Sequence, residues 1–98
     1  MLTKRFFKTK EEAEVTFEHV CPSAEKVELV AEFTGWEPIE MKYSKKDNLF
    51  RLKQRLPIDK AYLFKYLIDG EVWDNDHAAD DYIPNDFGTD NSLVNTAR

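Results

Sequence analysis

The chain has 98 residues, 42% of them hydrophobic and 34% charged, with only 3 Gly and 4 Pro, a composition that suits one compact domain over residues 1–98 and leaves no room for a second. Its 14 basic and 19 acidic residues give a formal net charge of -5, which argues against a phosphate-backbone partner and so against nucleic acid. Cys21 is the single cysteine, so an internal disulfide is excluded and a reducing, cytoplasmic setting is expected.

Met1 to Lys10 carries Lys4, Arg5, Lys8 and Lys10 but only Phe6-Phe7 as an apolar stretch, which is not the hydrophobic region of a signal peptide. No stretch approaches the roughly 20 apolar residues that span a bilayer, so no membrane partner is expected. Further on, Ala13, Val15 and Phe17 alternate with Glu14, Thr16 and Glu18 until Cys21-Pro22-Ser23 ends the run. This period of two predicts a strand with one buried face, and His19 continues that alternation at the strand's end, as a satisfied interior or edge histidine. Val27, Leu29, Ala31 and Phe33 repeat the pattern. From Leu49 to Leu56, Phe50, Leu52 and Leu56 oppose Arg51, Lys53 and Arg55, and Pro57-Ile58-Asp59-Lys60 makes the following turn.

Ala61 to Asp69 differs from the other strands. Tyr62, Phe64, Tyr66 and Ile68 form a core stripe, yet the opposite face is apolar too at Leu63 and Leu67, with Lys65 as its single charge. Such a face is either covered by another sheet or used. Asp69-Gly70 is a tight-turn signal, because Gly supplies the positive φ of a two-residue hairpin, and it returns Trp73 toward the strand that carries Lys65. Residues 74–90 read as loop, and Asn91 to Asn95 closes with a short strand around Leu93 and Val94. About seven short strands of this kind predict an all-β, two-sheet sandwich.

Little catalytic chemistry is on offer. His19 and His77 are the only imidazoles, and neither sits in a pattern that pairs a nucleophile with a positioned base. A small glycoside hydrolase would need two carboxyls flanking a cleft, for which a sandwich this size has little depth. Asp74-Asn75-Asp76 and Asp80-Asp81 resemble calcium ligands, but Ala79 and Asn85 stand where a calcium loop needs Gly and a bidentate Glu. Gly35, Gly70 and Gly88 are each isolated, which rules out a glycine-rich phosphate cradle. No cofactor and no metal is expected. The charge is uneven: Tyr66 to Ala97 holds eight acids and no Lys or Arg. That third reads either as a solvated acidic loop or as a site for something neutral or cationic.

The aromatic residues carry the functional signal. Trp36 lies on a turn and Trp73 just past a hairpin, both outside the apolar alternation. A pyranose ring presents one apolar CH face that stacks on a flat indole, and its hydroxyls need the donors and acceptors that Lys65 and Asn91 could supply.

Three segments in order, Val27-Glu28-Leu29-Val30-Ala31-Glu32-Phe33-Thr34-Gly35-Trp36, Phe64-Lys65-Tyr66-Leu67-Ile68-Asp69-Gly70-Glu71-Val72-Trp73 and Asn85-Asp86-Phe87-Gly88-Thr89-Asp90-Asn91-Ser92, resemble carbohydrate-binding module family forty-eight. The family includes the glycogen-binding domain of AMP-activated protein kinase β subunits and the N-terminal early-set domains of isoamylases and branching enzymes. The resemblance covers about residues 12–96. It implies an immunoglobulin-like β-sandwich that binds α-glucan such as glycogen, starch or maltooligosaccharide without catalysis. It further implies that Trp36 and Trp73 stack on glucose rings, that Lys65 and Asn91 hydrogen-bond to hydroxyls, and that Phe87 and Thr89 line the site. Ala31 and Glu32 depart from the usual Gly and Asp or Ser, and Trp73 falls one residue later than in the kinase domains. The alternative is a protein-interaction module that recruits a glycogen-metabolism enzyme or another partner without binding sugar.

Overall fold

A computed structural model describes residues 1–98. Ten strands follow in chain order: β1 (Leu2–Phe6), β2 (Glu12–His19), β3 (Val27–Ala31), β4 (Ile39–Glu40), β5 (Lys42–Ser44), β6 (Leu49–Pro57), β7 (Ala61–Ile68), β8 (Val72–Asp74), β9 (Asp81–Pro84) and β10 (Asp90–Asn95). They form two sheets, every pair antiparallel: β1-β2-β6-β5, and β4-β3-β7-β10-β9 with β8 added to β7. The chain is an all-β sandwich.

The alternation read from the sequence dictates the core. Ala13, Val15, Phe17, Phe50 and Leu56 of the first sheet meet Val27, Leu29, Ala31, Phe64, Tyr66 and Val94 of the second, and all are buried. Phe17 and Phe64 meet edge to face at 5.1 Å between ring centres. Truncating either to Ala in so filled a core would cost about 3–5 kcal/mol. The chain changes sheets at Met41, the buried residue between β4 and β5, whose N–H donates to the Val27 carbonyl at 2.8 Å.

Four details differ from the sequence reading. β1 is a strand although its inward face carries Lys4, because the ammonium pairs with Asp80 at 2.6 Å. β4 and β5 form in a stretch with no alternation to reveal them. β9 lies inside the segment read as loop; its four residues are exposed, and it survives by pairing with β10 along a sheet edge, where Pro84 is tolerated. The β3 strand stops at Ala31 instead of reaching Phe33, and a 3-10 turn, Glu32–Thr34, takes over. The Thr34 hydroxyl accepts from Ala31 N–H at 3.2 Å and lies 2.9 Å from both the Ala31 and Glu37 carbonyls, so a side chain competes with the ladder for the backbone there.

Candidate functional site

The outward face of the second sheet carries the candidate residues, and β7 organises them. One edge of β7 pairs with β3 along its second half, Phe64 to Ile68. Its other edge is shared: β10 takes Ala61–Phe64 and β8 takes Tyr66–Ile68, so Lys65 falls at the junction between them. Opposite residues of an antiparallel pair project to the same side. Lys65 therefore stands beside Val30 on β3, Trp73 on β8 stands opposite Leu67, and Asn91 on β10 stands opposite Ile83.

Trp36 arrives from the turn after β3. Gly35 and Trp36 both adopt left-handed backbone, φ 66 and 63, and Trp36 N–H donates to the Ala31 carbonyl at 2.9 Å. Positive φ in a bulky residue is uncommon and strained. The Thr34 hydroxyl inside the turn, and Glu32, whose carboxylate accepts from Leu63 N–H at 2.6 Å, hold it in place. The conformation turns the indole outward, 47% exposed, and Trp73 is 54% exposed.

The third wall is the loop from Asn85 to Thr89. Asn85 Oδ1 accepts from the backbone N–H groups of Phe87 (2.9 Å) and Thr89 (3.2 Å) and from the Thr89 hydroxyl (3.1 Å). Asn85 Nδ2 donates to Thr89 Oγ1 at 2.8 Å and Asn91 Oδ1 at 3.2 Å. Gly88, at φ 78, closes the turn. This frame lifts Phe87 into solvent, 90% exposed. Lys65 Nζ donates to Thr89 Oγ1 at 3.2 Å, joining strand to loop.

All six residues singled out from the sequence, Trp36, Lys65, Trp73, Phe87, Thr89 and Asn91, line one open groove of about 690 Å³. Two more lining residues were missed, Val30 and Asn85. Val30 left a signal, being an apolar residue at an outward position between Glu28 and Glu32. Asn85 left a weaker one, an Asn three residues before a Gly, the spacing of a side-chain-closed turn.

The acidic third of the chain is mostly spent on internal bonds, which neither reading of it anticipated. Asp69 caps the N–H groups of Glu25 and Lys26, Asp74 bonds His19 Nε2 at 3.2 Å, and Asp80 holds Lys4 and Asn95 N–H. Asp76 is fully buried and accepts from the Tyr66 hydroxyl at 2.6 Å, the Ala78 N–H and the Met1 amino group. Burial pushes the Asp76 carboxyl up, but those three donors outweigh it and hold its pKa below the ordinary value. Burial likewise pushes the Tyr66 hydroxyl far up. His19 is buried as read from the sequence, stacked on Tyr66 at 4.3 Å; burial lowers its pKa against the pull of Asp74. His77 is exposed and stacks over His19 at 5.8 Å. No group of three or more His, Cys, Asp or Glu is disposed to hold a metal ion, and no helix is long and apolar enough to cross a membrane.

Neither a scan against protein-family models nor a search of curated proteins found a match for this chain.

Proposed function

We propose that the groove binds α-1,4-linked glucan chains, such as glycogen or maltooligosaccharide, and that the domain is a non-catalytic sugar-binding module of the immunoglobulin-like early-set type. The observation that carries this reading is the convergence of two half-exposed indoles with Lys65 and Asn91 on one face of one sheet. Flat apolar rings beside a few fixed polar groups suit a ligand whose own rings have an apolar face and a polar rim. Trp36 and Trp73 stack on glucose rings, Phe87 stands as a wall, and Lys65 and Asn91 meet the hydroxyls. Each such hydroxyl bond replaces one to water and contributes only about 0.5–1.5 kcal/mol, so affinity is modest.

A second reading rests on β9, whose outer edge is unpaired and shows Tyr82 and Ile83. An added strand from a partner, for instance a glycogen-metabolism enzyme, would use that edge without the groove. A two-dimensional NMR titration with maltoheptaose separates the two. Saturable shifts of both indole N–H signals support sugar binding in the groove, whereas silence at millimolar sugar removes it and favours the edge.

A further inference from the structure

The groove's hydrogen-bonding polarity follows from one side chain. An amide's oxygen and nitrogen must be told apart by their partners, and for Asn85 those partners are unambiguous, since the backbone N–H groups of Phe87 and Thr89 can only donate. Oδ1 therefore faces them, and Nδ2 faces Asn91. Asn91 must answer with its own oxygen, at 3.2 Å, which leaves its NH₂ as the end free to meet a ligand. The Thr89 hydroxyl is already saturated between Asn85 and Lys65. Lys65 makes one bond, to Thr89, and takes part in none of the ion pairs of the protein. The indoles can only donate.

What remains for a ligand is thus mostly donors around one cation that is in no ion pair, with no carboxylate among the lining residues and the second lone pair of Asn91 Oδ1 as the one side-chain acceptor left. Sites that grip neutral hydroxyls gain from acceptors as well as donors, because each hydroxyl offers both. This one is short of acceptors. We infer that the groove reads acceptors, that Asn85 is the positioning residue that sets this polarity, and that a glucan bearing an anionic ester at the Lys65–Asn91 end is its preferred ligand. The inference rests on the glucan reading. Asp86 and Asp90 on the same loop and Glu28 on the same sheet face oppose an anion, but Asp86 and Asp90 are exposed, where solvent and salt screen them, Glu28 pairs with Lys26 at 3.7 Å, and none of the three is among the residues that line the groove.

The test compares maltoheptaose with maltoheptaose carrying a phosphate monoester, by calorimetry at physiological ionic strength, on the intact chain and on Asn85→Asp and Lys65→Gln. A charged acceptor roughly doubles the strength of a hydrogen bond, so the phosphorylated chain should bind about tenfold more tightly. Asn85→Asp keeps an acceptor for the two loop N–H groups, so their amide signals should persist. It also turns the Asn91 oxygen toward the ligand and sets a carboxylate beside Thr89 and Lys65, and the phosphorylated chain should then bind more weakly than the neutral one. Lys65→Gln should abolish the preference. Equal or weaker binding of the phosphorylated chain to the intact protein, with maltoheptaose still bound, overturns the inference and leaves the glucan reading in place. A preference that survives Asn85→Asp overturns the role of Asn85. Failure of both chains to bind the intact protein overturns the glucan reading and this inference with it.

Discussion

Phe87→Ala separates binding from folding more cleanly than any other change in the groove. The ring is 90% exposed. An aromatic side chain carries about 150–250 Å² of surface, so roughly 20 Å² is buried in the free protein, which at about 25 cal/mol per Å² is worth no more than ~0.5 kcal/mol. The bond that shapes the loop is made by the Phe87 backbone N–H to Asn85, and alanine keeps it. In the proposed glucan complex the same ring forms a wall. Covering about half of its exposed surface removes roughly 90 Å² from water, ~2 kcal/mol, or about 30-fold in Kd. Calorimetric titration with maltoheptaose reads the second quantity and urea unfolding the first. A Kd unchanged within about twofold would refute the wall, and a stability loss above ~1 kcal/mol would show that the ring packs against the protein.

Replacing Trp36, at φ 63, by Gly should give a protein about 1 kcal/mol more stable than Trp36→Ala, because Gly alone adopts that backbone without strain; both should lose retention on glycogen, and the reverse stability order in urea would mean that the turn is not left-handed. Tyr66→Phe removes the donor to buried Asp76 and should cost about 1.5–3 kcal/mol in chemical unfolding, the range for a bond to a charged group. His19 is held below its ordinary 6.5 by burial despite Asp74, so the unfolded chain takes up its proton first as pH falls. The stability it contributes is present above 6.5 and lost as pH drops from there toward its lowered value, and His19→Gln should flatten that part of the urea-midpoint profile.

The parts of the fold legible in the sequence are those where one physical rule acts alone. From Ala13 to His19 and from Tyr62 to Ile68, burial on one face imposes a period of two, and the strands fall where it appears. Lys4 hides β1 because its charge on the inward face is cancelled by Asp80, a partner 76 residues away that no local pattern reveals. The end of β3 is hidden for a related reason: apolar alternation runs on to Phe33, but the Thr34 hydroxyl takes the backbone out of the ladder. In the groove, residues recognisable by chemical type, the two tryptophans and the lone lysine, were legible. Asn85 was not, because it acts through Phe87, Thr89 and Asn91, and its importance lies in bonds that exist only once the loop has closed.

Bonds of the same kind brace the rest of the groove. Trp73 stands on a strand of three residues, too short to be stable by pairing alone, but the next residue, Asp74, is tied to buried His19. Asn75 then donates to the Asp90 carbonyl and accepts from Ser92, and Asp76 N–H donates to Ser92 Oγ. One chain of bonds thus runs from the core beneath Trp73 to β10, which carries Asn91, and Asn85 completes it across the loop. Trp36 has a separate anchor in the Thr34 turn. Because these bonds hold the backbone that carries both indoles, and the loop, binding has less backbone to order. The acidic residues of the C-terminal third thus lie beneath the groove and not in it: Asp74 bonds buried His19, Asp76 bonds Tyr66 and Ser92, and no carboxylate lines the groove.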